Sequence, residues 1–122
     1  MQKIIYIIIL GLMIISLPAE ARRKREPQIL DNRAYIFYLE SCPMCREAMA
    51  HINTKYPNRP DIIWKDLTTK EGLAYLKACK KKLNIPTIGL PLFCIGKTHY
   101  SGWSGTAAKR FDILLEEMYT HY

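Results

Sequence analysis

Two cysteines, Cys42 and Cys45, stand two residues apart in the stretch LESCPMCREA, with Pro43 and Met44 between them. Such a pair suits disulfide exchange with another thiol, one half of a metal site, or two sulfurs that only fill space. A helix starting between them would set Cys45 one turn past Cys42, on the same side. Cys42 would then face the free backbone N–H groups and the positive dipole end of that helix, which favour a thiolate. The thiolate is the species that attacks a disulfide, and Cys45 would be placed to resolve the mixed disulfide that results. Pro43 stiffens the turn between them. Glu40 opposes a thiolate at Cys42 and Arg46 favours one, and the sequence alone does not rank the two.

A zinc site needs four ligands, and the remaining cysteines, Cys79 and Cys94, do not supply a second knuckle by their spacing. Copper(I) would accept the softer set Cys42, Cys45 and Met44. No resident metal or cofactor is expected. Cys79 and Cys94 read either as small core residues or as a second disulfide. His51, His99 and His121 stand at no ligand spacing to a cysteine.

The pair needs elements to hold it. Tyr35-Ile36-Phe37-Tyr38-Leu39 is an unbroken apolar and aromatic run, the pattern of a central strand buried on both faces. Ser41 is expected to cap the following helix, and Pro43 suits its first turn, where no N–H is needed. Cys45, Ala48, Met49, Ile52 and Tyr56 lie on one face of it, and Pro57-Asn58-Arg59-Pro60 stops it. DIIWKDL, residues 61–67, reads as a second strand. Thr68 with Glu71 gives a capping-box signal for a second helix, with Leu73, Leu76 and Leu83 as its apolar stripe and Gly72 as a small cost. Residues 84–90 form a loop. Pro91 opens a third strand, Leu92 to Ile95; Gly96-Lys97 turns the chain; Thr98 to Trp103 returns as a hairpin partner. Ser104 is expected to cap a last helix presenting Phe111, Leu114, Leu115, Met118 and Tyr122. Strand–helix–strand implies parallel pairing by a right-handed crossover, and the hairpin adds antiparallel strands. The result is a small α/β sandwich.

The 122 residues suffice for one domain, and four cysteines are too few to replace a core. The net charge of +7 is concentrated in Arg22-Arg23-Lys24-Arg25 and Lys80-Lys81-Lys82. Lys3, an apolar block from Ile4 to Ile15, and Ala19-Glu20-Ala21 describe a secretory signal peptide over residues 1–21. The block is short for a membrane span, which takes about 20 apolar residues. The basic run after it disagrees, since the positive-inside bias would keep that side in the cytosol as an inverted anchor; an uncleaved anchor over residues 4–18 with the domain exported is the other alternative. Export to a periplasmic or other extracytoplasmic compartment is the expectation, with residues 22–33 as a basic tether and residues 34–122 as the domain. No groove-reading motif points to nucleic acid. The lysine run suits the C-terminal end of a helix, and Arg22–Arg25 suits anionic lipid if the chain stays at a membrane.

SCPMC after a buried strand, then GLPLFCIGK, HYSGW and a helix, resembles the thioredoxin fold in its compact glutaredoxin-like form, over residues 34 to 120. The resemblance implies a thioredoxin-like three-layer sandwich with a four-stranded mixed sheet. It further implies a monomeric thiol–disulfide oxidoreductase with Cys42 as nucleophile and Cys45 as resolving residue. A cis-proline at Pro91, rather than at Pro86 in NIPT, would stand beside a substrate groove of Pro43, Met44, Leu90 and Trp103. The implied partners are proteins bearing thiols or disulfides and a redox recycling partner. Glutathione is not expected. Leu39-Glu40-Ser41 lacks the basic residue that glutathione users carry there, and Ser101-Gly102-Trp103-Ser104 replaces their Gly-Gly pair. A copper-handling protein and a non-catalytic interaction module on the same fold are the alternatives.

Overall fold

A computed structural model of the chain describes residues 26–120. The signal peptide or anchor read in residues 1–21, the basic run 22–25, His121 and Tyr122 lie outside the described residues. Among the described residues no helix is long and apolar enough to cross a membrane.

β1 (Ala34–Tyr38) is flanked on both sides, by β2 (Ile62–Asp66) in parallel and by β3 (Leu92–Ile95) antiparallel. β4 (Thr98–Ser101) pairs antiparallel with β3, giving the order β2-β1-β3-β4. The central place of β1 explains its composition: Tyr35, Ile36 and Phe37 are buried whichever face they point to. Parallel pairing of β1 with β2 needs a crossover, which α1 (Pro43–Lys55) supplies. α2 (Lys70–Leu83) joins β2 to β3, and α3 (Ala107–Thr120) follows β4. The four-stranded mixed sheet expected from the sequence is present.

Side chains sort to two faces. Ile36, Phe93 and Tyr100 pack with Ala48 and Ile52 of α1 and with Phe111, Leu115 and Met118 of α3. Tyr35, Phe37, Leu92 and Cys94 pack with Ala78 and Cys79 of α2 and with Ile85. Two helices therefore cover one face and α2 covers the other.

The structure corrects several expectations. Cys42, not Ser41, is the residue before α1; its backbone is extended and no side chain caps the helix. Thr69, not Thr68, caps α2, its hydroxyl accepting the Gly72 N–H at 2.9 Å. Thr68 is held instead by Asp66, whose carboxylate accepts both its N–H and its hydroxyl. Leu73 is 52% exposed, and the buried stripe of α2 is Gly72, Ala78 and Cys79. The hairpin return ends at Ser101, so Trp103 lies beyond β4. α3 begins at Ala107, whose N–H donates to the Ser104 carbonyl at 3.0 Å. Part of the segment read as a tether belongs to the fold. Ile29 is buried in the α2 face, and its carbonyl accepts from Lys82 Nζ at 2.6 Å. Leu30 N–H donates to the Tyr35 hydroxyl at 3.1 Å.

Candidate functional site

The chain leaves β1 at Tyr38 and closes a turn in which Cys42 N–H donates to the Leu39 carbonyl at 3.1 Å. Pro43 occupies the start of α1, where its missing N–H is no loss, and Arg46 N–H donates back to the Cys42 carbonyl at 3.1 Å. This hands the sulfur of Cys42 to the open end of the helix. Cys42 is partly exposed and Cys45, one turn on, is fully buried; both are free thiols in this structure.

Their surroundings push the two thiols apart. The Cys42 thiol is held below the ordinary thiol range, first by the Cys45 backbone N–H and next by the Cys45 thiol, both donating to its sulfur. Partial burial works against this, while the Met44 N–H and the Arg46 charge add to it. Arg46 therefore acts on Cys42, whereas the charge of Glu40 acts on Tyr38. Burial drives the Cys45 thiol up to about 11, a Leu39 backbone N–H offsets part of that, and the neighbouring Cys42 sulfur adds to it. One sulfur is partly exposed and acidified; its neighbour is buried and kept protonated.

The Leu90–Pro91 peptide is cis, the one such bond among the described residues, and Pro91 is fully buried. The Pro91 carbonyl accepts the Gly102 N–H at 2.9 Å. Gly102 has φ +86°, and a β-carbon there would stand 3.6 Å from Met44 Cε. Met44 of the cysteine motif and Pro91 at the head of β3 thus meet through Gly102. Pro86 lies apart, beside Lys77, Lys80 and Lys81 near the end of α2. Pro43 is exposed, and Met44 and Leu90 are half-buried. The ring of Trp103 packs between His51 at 5.5 Å and Phe93 at 5.9 Å between centroids.

Cys79 of α2 and Cys94 of β3 form a disulfide, and both are buried. It joins α2 to the sheet on the face away from α1. Among the described residues no group of three or more His, Cys, Asp or Glu gathers to hold a metal. A copper site at the pair would rest on Cys42, Cys45 and Met44 alone. The sequence reading missed Gly102 as a junction. Its signal was a lone glycine just past a strand, where a positive φ turns the chain.

Compared with family models, curated proteins and solved structures, the chain matches none.

Proposed function

We propose that the chain is a thioredoxin-like thiol–disulfide oxidoreductase that exchanges disulfides with protein clients in an exported compartment. The reading is carried by the contrast between Cys42, acidified at the head of α1, and Cys45, buried and protonated one turn below. In the reducing direction, Cys42 thiolate attacks one sulfur of a client disulfide. A mixed disulfide forms and one client thiolate leaves. Cys45 then loses its proton and attacks Cys42 Sγ, which releases the second client thiolate. The client ends with two thiols, and Cys42–Cys45 ends as a disulfide. The same steps reversed oxidise a client dithiol. A recycling partner, itself a dithiol or a disulfide, resets the pair in either case.

Client backbone would lie along Leu90 and Pro91, with Met44 and Pro43 forming the facing wall. The Cys79–Cys94 disulfide supports an oxidising location, since such bonds persist outside the cytosol. The acidic Glu40 before the pair, in place of a basic residue, favours protein clients over glutathione.

The test is capture of the intermediate. A Cys45→Ser variant of the full chain, mixed with a disulfide-bonded peptide, should accumulate a mixed disulfide on Cys42, read by intact mass. Wild type should release the reduced peptide and end with Cys42–Cys45 as a disulfide, and Cys42→Ser should do neither. Equal exchange by all three proteins would sink the proposal.

A further inference from the structure

We propose that the end of the fold opposite the cysteines is a docking face for anionic membrane, built on Lys77, Lys80 and Lys81 of α2. The proposal does not depend on the redox reading. β1 and β2 run in parallel, Tyr38 pairing with Asp66, so both deliver the chain to the cysteine end. α2 starts there and runs back. Its last turn therefore reaches the start of β1, where Lys82 bonds the Ile29 carbonyl and the Asp31 carboxylate. The basic end and the cysteine end are separated by the length of β1, about 15 Å at 3.3 Å per residue.

Lys77 and Lys81 are exposed and Lys80 is half-exposed. With Asn84, Ile85 and Pro86 they border a shallow recess. Glu26 lies 3.5 Å from Lys81, which brings the N-terminal end of the described chain to this same surface. Arg22-Arg23-Lys24-Arg25 immediately precedes Glu26 in the sequence. Lysines on flexible stems around a shallow recess match a broad charged surface better than a shaped ligand. In its reading as a retained anchor, the apolar block Ile4 to Ile15 upstream in the same chain would hold this surface beside a bilayer. Docked this way, the protein presents Cys42 away from the lipid.

The full chain, leader included, is reconstituted on neutral phosphatidylcholine vesicles and on vesicles with about a third phosphatidylglycerol. A water-soluble amine-acylating reagent then reports each lysine by mass spectrometry. Lys70 and Lys109, exposed at the cysteine end, serve as internal controls. On the anionic vesicles, labelling of Lys77, Lys80 and Lys81 should fall about fivefold, with the controls unchanged. Salt near about 1 M, where the screening length is about 3 Å, should restore it. Equal labelling of the α2 lysines on both vesicles overturns the proposal, as does a uniform fall that includes Lys70 and Lys109.

Discussion

Gly72 faces the Asp66 carbonyl so closely that a β-carbon at position 72 would stand 1.8 Å from its oxygen. This is where the first turn of α2 folds back over the end of β2, with Thr69 fixing the turn from the other side. Helix propensity alone favours Gly72→Ala by about 1 kcal/mol. The backbone clash is the larger effect, because the carbonyl belongs to the strand end and cannot swing away. Gly72→Ala should therefore destabilise the fold by about 2 kcal/mol or more, read by urea unfolding. A neutral or stabilised variant would contradict the packing described.

The two thiols of the motif should titrate in different ranges. Alkylation of Cys42 should approach its plateau below the ordinary thiol range near about 8.5. Cys45 should stay unreactive until the pH nears about 11. The stability linkage follows with opposite signs. The lowered Cys42 favours the native state above the ordinary thiol value, and that contribution is lost as pH falls through its own lower value. The raised Cys45 favours the native state at lower pH, and that contribution is lost as pH rises from 9.0 towards about 11. Two coincident alkylation profiles at the ordinary thiol value would contradict both assignments.

Cys79 and Cys94 are 15 residues apart in sequence, and closing a loop of that size is worth about 3 kcal/mol in the chain-entropy account. A Cys79→Ala/Cys94→Ala variant should lose roughly that much stability in chemical unfolding while keeping the Cys42 alkylation profile. Loss of Cys42 reactivity in a folded variant would mean that the two cysteine pairs are coupled.

Asp61 is buried and grips Arg59 through two bonds, at 3.0 and 2.9 Å, while Tyr119 of α3 donates to the same carboxylate. Burial works to raise its pKa, but the bonds from Arg59 and Tyr119 prevail and hold it below the usual carboxylate range. A lowered carboxylate stabilises the fold above its unfolded value, near about 3.9, and the gain is lost as pH falls through the lower native value. Asp61→Asn should cost about 2 kcal/mol at neutral pH by chemical unfolding. The gap to wild type should close in strong acid. A gap that is constant with pH would show that the charge contributes nothing.

The order of elements was legible because β1 is buried on both faces and the other elements carry clear breaks, such as Pro57 to Pro60 and Gly96-Lys97. The ends of elements were less legible. Thr68 and Thr69 are chemically equal as caps, and the choice was made by Asp66, which binds Thr68 through its side chain. Leu73 fits the helical stripe by period, yet the sheet surface under α2 is reached through Ala78 and Cys79 instead. Gly72 read as a weakness because the clash it avoids involves a carbonyl on another element. Ile29 sits in a charged stretch without periodicity, so its place in the core with Tyr35, Ala78 and Ile85 leaves no sequence pattern to read. At the site, the motif itself gave Cys42 and Cys45. Arg46, four residues past Cys42, was legible as a candidate but not ranked against Glu40; the Gly102 junction is not encoded at any fixed spacing from the pair.

The central claim is that Cys42 and Cys45 close and open as one two-electron couple. The direct measurement equilibrates the full chain across a glutathione redox series, quenches by alkylation and reads each cysteine by mass. The account predicts a single transition of Cys42 and Cys45 together, with a midpoint between about −120 and −270 mV, while Cys79–Cys94 stays closed. A midpoint at the upper end makes the protein a donor of disulfides, and one at the lower end makes it a reductase. A Cys42–Cys45 pair that remains two thiols at every oxidising poise would contradict the account.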